Sequence, residues 1–117
     1  MGNDTTGNLP LLKGTLDMLV LKALSWGEAH GYGIASWLER SSGGAVWVED
    51  SALYQALHRL EGRGLVEAEW GVTENNRRAR YYALTREGRR HLRAEAAIWQ
   101  RYAQSVSAIL AMTSPQG

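Results

Sequence analysis

The stretch SALYQALHRLEGRGLVEAEW, residues Ser51 to Trp70, changes its period halfway along, and that change decides the fold. In its first half Leu53, Leu57 and Leu60 lie one turn apart, the spacing of a helix with one buried face. Ser51, Tyr54, Gln55, His58 and Arg59 take the remaining surface. Asp50, just ahead, is placed to cap this helix, and Glu49 and Asp50 suit the positive end of its dipole. Gly62 and Gly64 stop it. From Leu65 to Trp70 the pattern becomes alternating, with Val66, Ala68 and Trp70 on one side and Glu67 and Glu69 on the other, as in a half-buried strand.

Toward the C-terminus, the segment from Gly71 to Arg77 is polar and contains Asn75-Asn76, which can bend the chain. Arg78 to Leu84 returns as a second strand, with Tyr81 and Tyr82 favourable there. Thr85 then caps a long helix from Arg86 to about Ala111. Toward the N-terminus, apolar residues from Leu11 to Leu24 fall at helical spacing, ending at Ser25-Trp26-Gly27. A second helix runs from about Gly31 to Glu39 and closes at Ser41-Ser42-Gly43-Gly44. Three helices followed by a two-stranded hairpin is the order of a winged helix-turn-helix. The fold class is therefore mainly α, with a wing and a long C-terminal helix. The expected organisation is a flexible arm over 1–10, a winged helix over 11–85, a dimerisation helix over 86–112 and a disordered tail over 113–117.

The 117 residues carry a net charge of +1, which conceals an uneven distribution. Residues 1–58 hold 3 basic and 6 acidic side chains, whereas residues 59–117 hold 10 and 6. Arg77, Arg78, Arg80, Arg86, Arg89, Arg90 and Arg93 cluster around a single acid, Glu87. Such a cluster is either an electrostatic footprint for phosphates or a solvated helix face beside a basic turn. In a winged helix the third helix enters the major groove and the hairpin tip reaches the adjacent backbone or minor groove. Ser51, Tyr54, Gln55, His58 and Arg59 are then the candidate DNA-facing residues of the helix, and Arg77, Arg78 and Arg80 those of the wing. Tyr54 is placed to bond a phosphate, or it sits at the edge of the core. His58 and Arg59, one turn further on, reach phosphate or merely solvate the helix. Strand alternation can also turn Arg80 away from the duplex.

In the last helix Leu92, Ala96, Trp99, Ala103, Val106 and Leu110 follow steps of 4, 3, 4, 3 and 4, a heptad seam thickened by Ile98, Tyr102 and Ile109. The seam packs on its own domain or against a second copy. The second is favoured, because the other elements already have apolar faces for one another. A homodimer would set two recognition helices about one DNA turn apart, matching a palindromic operator on double-stranded DNA. Trp99, flanked by the small Ala96 and Ala103, would meet its symmetry mate. Two indoles there either sandwich a planar aromatic effector or simply fill the interface.

These motifs, taken in order, resemble the PadR-type transcriptional regulators. LLKGTLDMLVLKAL followed by His30-Gly31-Tyr32-Gly33-Ile34 resembles the family's opening, and Ser51 to Trp70 its central motif. RRARYYALTREGRRHL, from Arg77 to Leu92, resembles its wing strand and final helix. The resemblance covers roughly residues 11 to 110, and the single helix after the wing resembles the short-tailed subgroup. It implies a dimeric, usually repressing, DNA-binding regulator of a kind that often responds to small aromatic or drug-like ligands. It also carries Ser51, Tyr54 and Gln55 over as DNA-facing, and Trp99-Gln100-Arg101 matches the Trp-x-Arg of multidrug-sensing members. Tyr32, in the His-Gly-Tyr-Gly element at the start of the second helix, is expected to pack its ring internally while its hydroxyl meets the DNA backbone. One departure is Gln55, where the family commonly has Pro. Gln can read adenine, or it merely replaces a first-turn proline.

Other functions are disfavoured. With no cysteine there is neither a disulfide framework nor a thiolate zinc site. His30, His58 and His91 lie on separate elements, no phosphate-binding glycine loop occurs, and Ser51 has no evident base, so no enzyme, cofactor or metal is expected. The longest apolar run, Ala108 to Met112, is far short of the roughly 20 residues of a membrane span. A myristoylation-like start at Met1-Gly2 and a sequon at Asn3-Asp4-Thr5 are short patterns with no signal segment behind them, and a cytoplasmic protein is expected. The alternative is a winged-helix protein-interaction module that does not bind DNA.

Overall fold

The first helix begins at Thr15, later than the apolar pattern from Leu11 suggested. Gly14 adopts φ 88°, a left-handed turn suited to glycine, and Thr15 donates both its N–H and its hydroxyl to the Leu12 carbonyl at 3.1 and 2.7 Å. Leu11 and Leu12 therefore precede the helix rather than extend it. The computed structural model describes Leu9, Leu11, Leu12 and residues 14–116. The N-terminal arm, apart from Leu9, and its myristoylation-like and sequon motifs lie outside the described residues.

The described elements are α1 (Thr15–Leu24), β1 (Ala29–His30), α2 (Gly31–Ser41), α3 (Asp50–Gly62), β2 (Val66–Val72), β3 (Arg78–Leu84) and α4 (Arg86–Leu110). This is a mainly α winged helix. Its sheet has the antiparallel order β1-β3-β2. β1 was not anticipated: two residues carry no periodicity, and they pair only because Tyr82 and Tyr81 arrive opposite Ala29 and His30. Asp50 is not the cap of α3. Glu49 holds that position with extended backbone and no side-chain bond, while Asp50 is the first helical residue, still favourable to the dipole.

The core is formed where α1, α2 and α3 cross over the base of the wing. Val20, Leu21 and Leu24 of α1 meet Ile34 and Leu38 of α2, Leu53, Leu57 and Leu60 of α3, and Val66 and Tyr82 of the sheet. Each such aliphatic side chain contributes about 1.5–3 kcal/mol on burial. The face of α3 opposite this cluster is consequently left to solvent.

Thr85 joins the wing to α4. Its hydroxyl donates to the Gly64 carbonyl at 2.7 Å and accepts the Gly88 N–H at 2.9 Å, and its own N–H donates to the Leu65 carbonyl at 3.1 Å. Gly88 lies directly against that carbonyl: a Cβ there would sit 1.9 Å from the Leu65 oxygen. The first part of α4 is thereby fixed to the domain, and Leu92, expected in a dimer seam, is buried in the core instead. A residue already covered by its own chain has almost no surface left for a partner. Beyond it α4 carries no fully buried residue, and Leu110 is 79% exposed.

Candidate nucleic-acid interface

The leucine stripe of α3 faces the core, so its opposite face is set by geometry. Ser51, Tyr54, Gln55, His58 and Arg59 all lie on it and together line one shallow depression. Beside it, a wider open cleft runs between α3, the start of α2 and the wing, lined among others by Tyr32, Tyr54, Trp70, Arg77 and Arg78. The structure thus brings the α3 residues, Tyr32 and the wing arginines to one side of the molecule. Tyr54 belongs to both hollows.

Tyr54 is positioned by a glycine. A Cβ at Gly31 would fall 2.5 Å from the Tyr54 hydroxyl oxygen and 2.8 Å from Cζ, so the ring lies directly on the Gly31 backbone. His30 holds that backbone in place. It caps α2 by accepting the Gly33 N–H on Nδ1 at 3.0 Å, and its ring meets Tyr81 edge-on at 5.3 Å. Tyr32, in the first turn of α2, stands out at 78% exposure, so its ring is not packed internally as expected. The His-Gly-Tyr-Gly element therefore supplies a cap, a seat without a side chain for Tyr54 and an exposed phenol in four consecutive residues.

The wing tip is tied at Thr73. Its carbonyl accepts the Asn76 N–H at 2.9 Å, its own N–H donates to Arg77 O at 2.8 Å, and its hydroxyl accepts the Arg77 N–H at 3.2 Å. Asn76 takes φ 62°, a left-handed position that asparagine tolerates. Arg77 and Arg78 emerge from this tip exposed.

Two candidate arginines are held by carboxylates. Arg80 points toward the root of the recognition helix, where it donates to Glu61 at 3.1 Å. Arg59 donates to Asp17 of α1 at 2.7 Å. That hydrogen bond, then the carboxylate charge, raise the Arg59 pKa above its usual value. The acids concerned lie 19 and 42 positions away in sequence, so local patterning held no signal of either pair. Along the start of α4, Arg86, Arg89 and Arg93 add exposed positive charge, while Arg90 pairs with Glu87.

Sequence reasoning missed Trp70 as a surface residue. It lies on the apolar side of β2, yet the core ends before it, leaving it 60% exposed with the Arg78 guanidinium 4.6 Å from its ring centroid. The hairpin register, which sets Trp70 opposite Arg80 and Val72 opposite Arg78, was the available signal.

In α4 the seam residues Ala96, Trp99, Ala103 and Val106 are half-buried, and Ile98, Tyr102, Ile109 and Leu110 are exposed. The Trp99 and Tyr102 rings lie 6.4 Å apart. Among the described residues, no group of His, Asp or Glu side chains could hold a metal, and no helix is long and apolar enough to cross a membrane.

Residues 20–94 match the transcriptional regulator PadR-like family. A PadR family transcriptional regulator from Eggerthella lenta is 34% identical, with 86% of each chain covered and a TM-score of 0.73. A PadR family transcription regulator from Clostridium difficile is 25% identical, covering 83% of this chain and 99% of that one, with a TM-score of 0.72. An uncharacterised Lysinibacillus sphaericus protein is 24% identical over 82 residues, 70% of this chain and 75% of its own. An uncharacterised 37.1 kDa Streptomyces fradiae transposon protein is 42% identical over 79 residues, which span 21% of that protein. Family match and shared architecture together place this chain in the PadR-like family of transcriptional regulators.

Proposed function

We propose that this regulator works as a homodimeric repressor of a palindromic operator, released by a planar aromatic small molecule. Members of its family are transcription regulators rather than enzymes. In this reading α3 enters the major groove with Ser51, Gln55 and His58 toward base edges or backbone, while Tyr54 and Tyr32 bond phosphates. Arg77 and Arg78 reach the flanking backbone from the wing. Arg59 and Arg80 join them only by exchanging their carboxylate partners for phosphate. The observation that carries the reading is convergence: one exposed face gathers the outward side of α3, the start of α2 and the wing tip.

The dimer is supported by the far half of α4, where Ile98, Tyr102, Ile109 and Leu110 expose apolar surface along one helix. Such a contiguous apolar stripe is characteristic of an interaction face. Trp99, with Ala96 and Ala103 beside it, is the candidate ligand contact, each copy contributing one indole. The protein would act in the cytoplasm, where its operator is.

Selection of bound duplexes from a random pool tests the central point. An inverted repeat with half-sites about one helical turn apart is expected. Failure to bind any duplex even at low salt would favour a protein-interaction module. The ligand reading is tested separately by quenching of tryptophan emission with planar aromatics, which Trp99→Ala should abolish while the dimer persists. No quenching across a chemically broad panel would refute it.

A further inference from the structure

The wing arginines differ in what holds them. Arg80 spends donors on Glu61, and its Nε is buried without a partner, so it braces the wing against α3. Arg78 is held by a ring face. Its guanidinium carbon lies 4.6 Å from the Trp70 centroid, against 5.9 Å for that of Arg80, and among the described residues it makes no side-chain hydrogen bond or ion pair. The distinction is chemical. A guanidinium bonds carboxylates and phosphates through N–H groups in its own plane, whereas stacking on an indole engages the face and leaves every in-plane donor free. An arginine fixed in this way has already lost much of its rotamer freedom, so less is lost when phosphate arrives. The hairpin register places Trp70 and Arg78 on the same side of the wing, diagonal neighbours across β2 and β3, and both line the cleft beside Tyr54.

We propose that Trp70 is a positioning residue for DNA binding, pre-setting Arg78 as a phosphate ligand without occupying its donors. This rests on the DNA-binding reading above and goes beyond it by assigning one wing contact to a held pair. The test is a double-mutant cycle read by anisotropy of a fluorescein-labelled random-sequence duplex at several salt concentrations. The proteins are the native chain, Trp70→Ala, Trp70→Phe, Arg78→Ala and the Trp70→Ala/Arg78→Ala double variant. Trp70→Ala is expected to weaken binding about two- to fivefold. It should keep the native salt slope, while Arg78→Ala flattens that slope by about 0.9. Trp70→Phe should fall between native and Trp70→Ala, because the smaller ring still offers a face. In the Arg78→Ala background, removing Trp70 should change nothing further. An equal loss in both backgrounds, or no loss in either, would overturn the proposal. A native chain that binds no duplex would overturn the DNA reading itself, so the two failures are distinguishable.

Discussion

The seat of Tyr54 on Gly31 offers the sharpest test of the interface, because it moves one hydroxyl without removing it. In Gly31→Ala the new Cβ would lie 2.5 Å from the Tyr54 Oη and 2.8 Å from Cζ, against an ordinary contact distance of about 3.4–4 Å. The ring is half-exposed, so it can swing outward by roughly 1 Å while the Gly31 backbone stays in place. Gly31 is the first residue of α2 and its φ is not left-handed, so alanine brings no backbone strain there. The helix should form as before. A shift of about 1 Å, however, stretches a hydroxyl–phosphate bond of about 2.7 Å beyond hydrogen-bond range. Hydrogen bonds to charged groups are worth about 1.5–3 kcal/mol, so duplex affinity should fall roughly ten- to a hundredfold. Tyr54→Phe should cost about the same, and the double variant no more than Tyr54→Phe alone. The salt slope should be unchanged throughout, since no charge is altered. Fluorescence anisotropy with a selected operator duplex measures all four affinities, and thermal melts check that each variant folds. Native affinity in Gly31→Ala, or losses that multiply in the double variant, would refute the reasoning.

Other perturbations address the remaining joints. Gly88→Ala drives a Cβ into the Leu65 carbonyl, a backbone atom that cannot swing aside. A cost of about 1–3 kcal/mol is expected, lowering the melting temperature by at least about 4 °C. Gly62→Ala, with nothing near its Cβ, should instead stabilise by about 0.4–1 kcal/mol. Calorimetric melting points in the reverse order would contradict both statements. Asp17→Asn removes the partner of Arg59 at a stability cost of about 0.2–1 kcal/mol. If Arg59 exchanges Asp17 for phosphate, duplex affinity rises in Asp17→Asn because no carboxylate has to be displaced, and an unchanged affinity would remove Arg59 from the interface. Burial raises the Tyr82 pKa above its ordinary value, with Arg80 pulling it partly back and Glu61 and Tyr54 pushing it up. The folded chain then holds that proton more tightly than the unfolded one. The associated stability is complete below about pH 10 and is lost as pH rises through the higher folded-state value. Melts from pH 8 upward should show this alkaline decline in the native chain and a smaller one in Tyr82→Phe, and identical declines would disprove the assignment.

The elements legible in the sequence are those whose signals are local. The period change between Leu60 and Val66 located α3 and β2, and Thr85 located the start of α4 because a capping threonine acts on residues within one turn. What stayed hidden depends on partners distant along the chain. β1 exists only through Tyr81 and Tyr82, and Arg59 and Arg80 are held by acids that no spacing rule connects to them. Leu92 shows the same limit from another side. A heptad pattern reports which positions are apolar, but not whether the chain's own α1 or a second copy covers them. In this chain the seam is divided, with its first leucine buried in the domain and its last largely open to solvent.

The joint at Thr85 has a mechanical consequence. Two hydrogen bonds from Thr85 to the Gly64 and Leu65 carbonyls, and a glycine without clearance, clamp the start of α4 to the root of the wing, so helix and hairpin turn about a common pivot. The 25-residue helix extends about 37 Å from that pivot, at about 1.5 Å per residue. A tilt of about 5° at the clamp moves the far end by about 3 Å, while the residues beside the pivot hardly move. Anything seated against the distal half of α4 therefore acts on the wing through the longer arm of a lever.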